Sequence, residues 1–492
     1  MKLNKLQLNG FNILQDGFYI DFNKSSNLSI LIGKNGSGKS SILEAVGIIF
    51  KSLYKGSNIP FTFVIDYNLG DKHIGIQNIK EFTIRINNDI YPIGEFKYLR
   101  ETQGLNIFPD NIIAYYSGSN ERLKKIFNFG KYLESPFLYL EDKHFKFILS
   151  SLMCSDLERH IEFLRDNFQI EKNENSQMKL KVKLFNKKLI DEITRIDKNF
   201  DIHLKESLDL NFLFKVTLDY LYTKEKEFDE IKKVLQEIEK IEITIGSSDL
   251  LRYCMRVPYR FKGGSFEFLI DFEESNNFIY EMGNETNLFK SFLSLSSKGI
   301  LKDVETIFTK ESNIVNHTAL SEGEKQLITV IGIKELTTLE ESLFLLDEPD
   351  TYLHPSWQNK LINQLNDKNE DYTLMTTHSV NILKNISKKH IFILKSMNNI
   401  IEIFEPPKST FGRDVNSILN EVMGVDERNS EVDKLLDEYF AIISEKDFNK
   451  AEQKKNEILR FAQEHDEEFF NIDEPEFIRA NAILERMKVL GR

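Results

Sequence analysis

Four short apolar runs, Ser29–Ile32, Ile112–Tyr116, Ser342–Leu346 and Tyr372–Met375, have the length and composition of buried strands. Three other segments, Met1–Leu8, Glu81–Ile86 and Lys179–Leu184, alternate apolar with polar residues as half-buried strands do. Helical spacing takes over at Phe228, Ile231, Leu235 and Ile238. It returns at Val432, Leu435, Leu436, Tyr439 and Phe440, and again at Ile478, Ala482, Ile483 and Met487. The pair Pro406-Pro407 and the segment Lys408–Asp414 mark a boundary before the last two patterns. An α/β fold is expected, with residues 136–249 as a mainly helical insertion and 406–492 as a helical C-terminal domain that holds a partner. The two halves of the α/β domain are then 1–135 and 250–405.

At 492 residues the chain exceeds one ordinary core, so several units are expected. No stretch of about eighteen apolar residues occurs, and the alternating first eight residues are not an apolar leader. The two cysteines, Cys154 and Cys254, form no C-x-x-C pair, and a reducing cytoplasm is the expected setting. A net charge of -13 argues against indiscriminate coating of nucleic acid, which depends on lysine and arginine displacing counterions. The three lysines on one face of Lys179–Leu184 could track a phosphate backbone. They could equally guard an exposed sheet edge, which is the favoured reading.

Chemistry is expected where the apolar runs end. Gly33-Lys34-Asn35-Gly36-Ser37-Gly38-Lys39-Ser40 fits G-x-x-x-x-G-K-[S/T], follows the first run and opens a helix, which is the context of a phosphate loop. Gly33, Asn35, Gly36, Ser37 and Gly38 would cradle a triphosphate with backbone N–H groups. Lys39 would reach the β- and γ-phosphates, Ser40 would offer a hydroxyl to Mg²⁺, and Ser41 would add a phosphate contact. The run Ser342–Leu346 ends in adjacent carboxylates, Asp347 for the Mg²⁺ shell and Glu348 as general base toward water. After Tyr372–Met375 comes Thr376-Thr377-His378-Ser379, with His378 placed to sense a γ-phosphate and Ser379 to cap the next helix. Ser321 and Glu324 meet the S-x-x-E capping box of a helix through Gln326, Leu327, Val330 and Ile331. His354, before Pro355, is read as helping to start a helix.

Leu320-Ser321-Glu322-Gly323-Glu324, together with the other motifs, resembles the signature of ABC-type ATPases of the RecF and SMC kind. That resemblance implies a head-to-tail dimer with two ATP molecules between protomers. Ser321, Gly323 and Glu324 would then face the partner's γ-phosphate, and Asp350 would fall on the family's D-loop. The family's glutamine-bearing loop has no counterpart after Ile112–Tyr116, which leaves Ser117, Asn120, Arg122 or Gln103 to replace it. The separation of Ser40 from Ser321 exceeds that of transporter ATPases in the family and implies an inserted domain. The stripe Phe228–Ile238 is too short for the long arms of SMC-type proteins.

The whole chain is similar to defence-island ATPases of the AAA family, with the ATPase subunit of Septu anti-phage systems as the best likeness. Tyr115-Tyr116-Ser117-Gly118, Asp347–Gln358 and Phe411–Leu419 carry this resemblance. It implies ATP and Mg²⁺ as cofactors, an H-N-H nuclease partner gated by ATP state, DNA reached through the complex, and higher oligomers. No H-N-H cluster and no acidic cluster of the TOPRIM kind are found in the chain itself. A RecF- or SMC-like DNA-repair clamp and a PARIS-type ATPase caging a TOPRIM effector remain the alternatives.

Overall fold

The computed structural model describes the chain except residues 119–120, 128–131, 208, 225–228, 273–274, 367–370, 398–399, 413–417, 419–429, 446, 465–474 and 491–492. Asn120, Phe228, Arg413–Ser417 and Leu419, singled out above, therefore lie outside the described residues, as do the side chains of Gln103, Val432 and Met487. The rest divides into two compact units, Met1–Gly412 and Arg413–Arg492.

The larger unit is built on a seven-stranded sheet. Its order is Ile400–Phe404, Ile391–Met397, Leu28–Gly33, Tyr372–Thr376, Ser342–Asp347, Asn111–Tyr116 and Phe137–Leu140. All neighbours are parallel except the first two, which form an antiparallel hairpin. Strands covered on both faces need no polar alternation, which is why Leu28–Ile32 and all six residues of Ser342–Asp347 are buried.

A second, antiparallel sheet runs Phe18–Asp21, Lys2–Asn9, Thr62–Leu69, Lys72–Gln77, Thr83–Ile86 and Asp89–Pro92. One hydrophobic core joins the two sheets to helix Lys39–Lys55. Leu6 and Ile65 of the antiparallel sheet, Ile42, Val46 and Phe50 of the helix, and Leu343 and Leu374 of the parallel sheet share it. The helix that opens at the phosphate loop is thereby held along its length, and its first turn cannot drift from the strand ends.

The insertion departs from the sequence expectation. Phe137–Leu140 is a strand of the main sheet, and the boundary placed at 249/250 runs through a third sheet. That sheet orders Ile170–Glu171, Leu301–Lys310, Gln177–Val182, Ser265–Asp271 and Tyr259–Lys262, with Asn313–Asn316 beside Leu301–Lys310. Gln177–Val182 is thus paired on both sides, and the reading of its lysines as guards of a free edge is corrected. They stand on the open face, where Lys179 meets Glu267 at 3.4 Å. Its pairing partners lie more than eighty residues away in sequence, so local patterning showed a strand and not its neighbours. Helices occupy much of the remainder, including Phe145–Cys154, Glu158–Phe168 and Asp229–Gly246, the last burying Ile231, Leu235 and Ile238 as its spacing required.

The smaller unit starts at 413, a few residues after the expected 406. Ser430–Ser444, Phe448–Glu464 and Pro475–Leu490 are helical and share a core of Leu436, Tyr439, Ile443, Ala451, Ile458, Phe477, Ala480 and Leu484. In the last helix the buried face is Phe477, Ala480 and Leu484, whereas Ile478 and Ile483 are 45% and 49% exposed. The stripe drawn through Ile478 and Ile483 therefore marks the wrong side of a correctly expected helix. Two i, i+3/i+4 series coexist there, and packing chooses between them. Among the described residues, no helix is long and apolar enough to cross a membrane.

Candidate functional site

The parallel strands bring three motifs to one end of the sheet. Leu28–Gly33 lies beside Tyr372–Thr376, which lies beside Ser342–Asp347, so the phosphate loop, His378 and the Asp347–Glu348 pair follow adjacent carboxyl ends. Ligands of open α/β sheets collect at this edge, where helix starts and loop N–H groups converge. Helix Lys39–Lys55 begins there, with its apolar residues turned into the core and Gly38 at its start.

The loop backbone is a cradle that only glycine allows at its tightest points. Gly36 and Gly38 have φ of 78° and 94°, a region that side chains strain to enter. A Cβ on Gly38 would also stand 2.9 Å from Leu14 Cδ2. Lys39 Nζ donates to the carbonyls of Gly33 at 2.9 Å and Lys34 at 3.2 Å, so the amine is held across the loop mouth. Burial lowers its pKa, against the opposing pull of Glu348 and Asp347. The Ser37 hydroxyl is buried there without a hydrogen-bond partner. Ser41 and Glu44, one turn into the helix, both receive the Asn12 side-chain amide, at 3.4 and 3.2 Å.

Asp347 and Glu348 differ sharply. Asp347 is 5% exposed, accepts from Ser40 Oγ at 3.1 Å and from Thr376 Oγ1 at 2.5 Å, and faces the loop. Burial raises its pKa, with the two hydroxyl bonds acting the other way. Glu348 is half-buried, and its Oε1 lies 3.6 Å from His378 Nε2. Its backbone is left-handed, with φ of 51°, which costs a non-glycine residue about 1 kcal/mol. His378 has its pKa lowered by burial and by Lys39, against the pull of Glu348, and so favours the neutral imidazole. Its Nε2 is buried and makes no hydrogen bond. Ser379 stands at the N-cap of Val380–Leu383, but its hydroxyl donates to Gln358 Oε1 at 2.7 Å, so the expected capping bond is not made.

These groups fit a triphosphate with Mg²⁺. The unsatisfied Ser37 hydroxyl and His378 Nε2 await partners, the glycine cradle leaves room, and a hydroxyl paired with a carboxylate is an oxygen donor set suited to a hard cation.

The signature segment is made differently. Ser321 caps the helix Glu322–Leu327, and the reciprocal box is complete: Glu324 N reaches Ser321 Oγ at 3.3 Å, and Ser321 N reaches Glu324 Oε2 at 2.8 Å. Lys310, from the third sheet, binds the other carboxylate oxygen. Burial alone would raise the Glu324 pKa, but the bonds from Lys310 and Ser321 outweigh it and lower the value. The helix then passes through a π-helical turn at Ile328–Gly332, a form frequent at functional sites. Ser321 is exposed, and among the described residues none of its hydrogen bonds reaches the phosphate loop.

Asp350 is 4% exposed and accepts from Thr377 Oγ1 of the same chain at 2.8 Å, with burial pushing its pKa up to about 6. It is an inward anchor of the turn in this conformation, and the exposed neighbour is Tyr352, at 70%. His354 caps Pro355–Leu365 through Nδ1, as its place before proline suggested. Thr376, Thr377 and Thr351 were passed over as working residues, although all three sit inside quoted segments. It had no signal for Lys310, which reaches Glu324 from another sheet.

A family model described as "AAA domain, putative AbiEii toxin, Type IV TA system" matches residues 28–384. The chain is similar to "Retron Ec83 probable ATPase" of Escherichia coli, 25% identical over 468 residues, covering 89% of this chain and 80% of that protein. It is also similar to "Retron Vc95 probable ATPase" of Vibrio cholerae, 23% identical over 417 residues, with 80% and 74% covered. Among solved structures, an SMC head domain of Pyrococcus furiosus bound to the C-terminal domain of ScpA aligns at 14% identity and a TM-score of 0.36. That alignment covers 82% of this chain and 96% of the other.

Proposed function

Because the chain belongs to this AAA ATPase family, we propose that it is the ATP-hydrolysing subunit of an anti-phage defence complex that gates a separate nuclease. The observation that carries the reading is a split site. Lys39, Ser40, Asp347, Glu348 and His378 converge at one sheet edge, while Ser321 and Gly323 begin a helix elsewhere with Ser321 exposed. A second protomer, placed head to tail, would bring its Ser321 and Gly323 to this chain's triphosphate.

In that reading Lys39 leaves its loop carbonyls to take phosphate oxygens, and the loop N–H groups hold the remaining charge. Ser40 and Asp347 would hold Mg²⁺, which supplies neutralisation of the phosphate charge. Glu348 orients and deprotonates the attacking water, and neutral His378 donates to the γ-phosphate. The binding energy that matters is the difference between open and closed dimers, so hydrolysis acts as a timer on the closed state.

The retron ATPases among the similar proteins support a defence role, and they favour a retron-type assembly beside the Septu-type one. A repair clamp of the RecF or SMC kind stays as the second reading, and the acidic balance of the chain weighs against it. The test is purification of the tagged chain with its neighbouring gene products. A stoichiometric H-N-H protein supports Septu-type gating, and another stoichiometric effector supports a different defence system. Recovery of the chain alone, binding DNA only with ATP, overturns gating in favour of the clamp.

A further inference from the structure

We infer that Ser117 is a positioning residue for Glu348, and that the segment after strand Asn111–Tyr116 acts on the catalytic corner through its backbone. The inference rests on the proposed role of Glu348 as general base. Its side chain is loosely held: the carboxylate has Thr351 Oγ1 at 3.5 Å and His378 Nε2 at 3.6 Å, both long for a hydrogen bond. The direction of the carboxylate is therefore set by the backbone from which it projects.

That backbone is strained and clasped from three sides. The Glu348 carbonyl accepts from Ser117 Oγ at 2.7 Å and from Thr351 Oγ1 at 3.0 Å. Its N–H donates to Thr376 Oγ1 at 2.9 Å, and the same threonine donates to Asp347 Oδ1. Ser117 N–H also reaches the Asp347 carbonyl, at 3.4 Å. A residue in the left-handed region persists where its surroundings over-determine it, and here three hydroxyls do so, those of Ser117 and Thr376 from neighbouring strand ends and that of Thr351 from the same turn. Ser117 directly follows strand Asn111–Tyr116, and its shortest bond goes to a peptide carbonyl.

The experiment uses the full chain with ATP and Mg²⁺ and compares Ser117→Ala with Ser117→Thr. The alanine variant is expected to lose about five- to tenfold in kcat, the worth of one hydrogen bond, with KM for ATP and affinity for a fluorescent ATP analogue unchanged. Its half-saturating Mg²⁺ concentration also stays at the wild-type value, and the threonine variant recovers most of the loss. In a Glu348→Gln background Ser117→Ala has no further effect, because there is no base left to misplace. An unchanged kcat, a rise in the Mg²⁺ requirement, or a full additional loss in the Glu348→Gln background each overturns the inference. Thr351→Val removes the other hydroxyl from the same carbonyl and should repeat the kcat-only loss if Ser117→Ala does not fold; wild-type kcat there overturns it. A Glu348→Gln enzyme with wild-type turnover identifies the base assignment itself as the failure.

Discussion

Around the phosphate loop the working side chains already touch one another, with Ser40 on Asp347, Asp347 on Thr376 and Lys39 across its own loop. Ser321 of the signature is instead exposed and exchanges its side-chain bonds with Glu324, in a helix start braced from the third sheet by Lys310. The first region is a preorganised pocket, whose polar groups stabilise one another until a triphosphate arrives. The second is a braced helix start whose Ser321 hydrogen bonds, among the described residues, do not reach the phosphate loop. In the proposed head-to-tail dimer such unequal parts would separate binding from turnover: one chain would suffice to hold nucleotide, and two would be needed to hydrolyse it.

The largest effects should come from breaking each region in a different molecule. Lys39→Ala should lose ATP affinity and turnover together, whereas Ser321→Arg should lose turnover and keep affinity, since the arginine blocks only the tip. Mixed in equal amounts, the two inactive proteins should regain about a quarter of wild-type turnover, because half the dimers carry one intact composite site. Steady-state hydrolysis of the mixture checks this, and a mixture as inactive as its components rules out head-to-tail sharing.

A smaller loss is expected when only the chemistry within the pocket is removed. Glu348→Gln should lower kcat about 10²- to 10⁴-fold while binding ATP as well as wild type, and should accumulate as a closed dimer with ATP on light scattering. Weakened binding would place Glu348 among the groups that hold nucleotide.

Asp350 offers a test through pH. Burial holds its folded value about 6, above the ordinary 3.8, so folding takes up a proton between those values and stability falls as pH rises through that window. Asp350→Asn should remove that slope. The stability of wild type relative to the variant should drop by about 1–3 kcal/mol from pH 4 to pH 7 in urea titrations. A wild type that gains on the variant over this range would mean that Asp350 is ionised and paired in the fold.

The smallest effect belongs to the tip. Ser321→Ala removes half of the capping box and should cost about 1 kcal/mol of unfolding free energy, as N-cap losses do. The accompanying fall in turnover should far exceed what that loss of stability explains. If turnover follows stability alone, Ser321 is only a cap.

Much of this was readable along the chain. Gly33–Ser40 and Asp347–Glu348 are local: a strand, a turn and a helix start lie within a few residues, so the same atoms that define the motif define its geometry. The capping box of Ser321 and Glu324 is local too, and its four-residue span carried the correct bonds. The clasp on Glu348 was readable only in its local part, the Thr351 hydroxyl three residues on, because Ser117 and Thr376 reach Glu348 only when strands Asn111–Tyr116, Ser342–Asp347 and Tyr372–Thr376 pair side by side.

The amino-acid order by itself determined the motifs, the strands that lead to them and the helix starts, since these depend on neighbours within about one turn of chain. Tertiary structure alone decided that Gln177–Val182 lies inside a sheet, that Asp350 points inward, and which face of Pro475–Leu490 is buried. Each of these depends on surfaces supplied from far along the chain. Periodicity shows that a face is apolar; it carries no information about which distant surface comes to cover it.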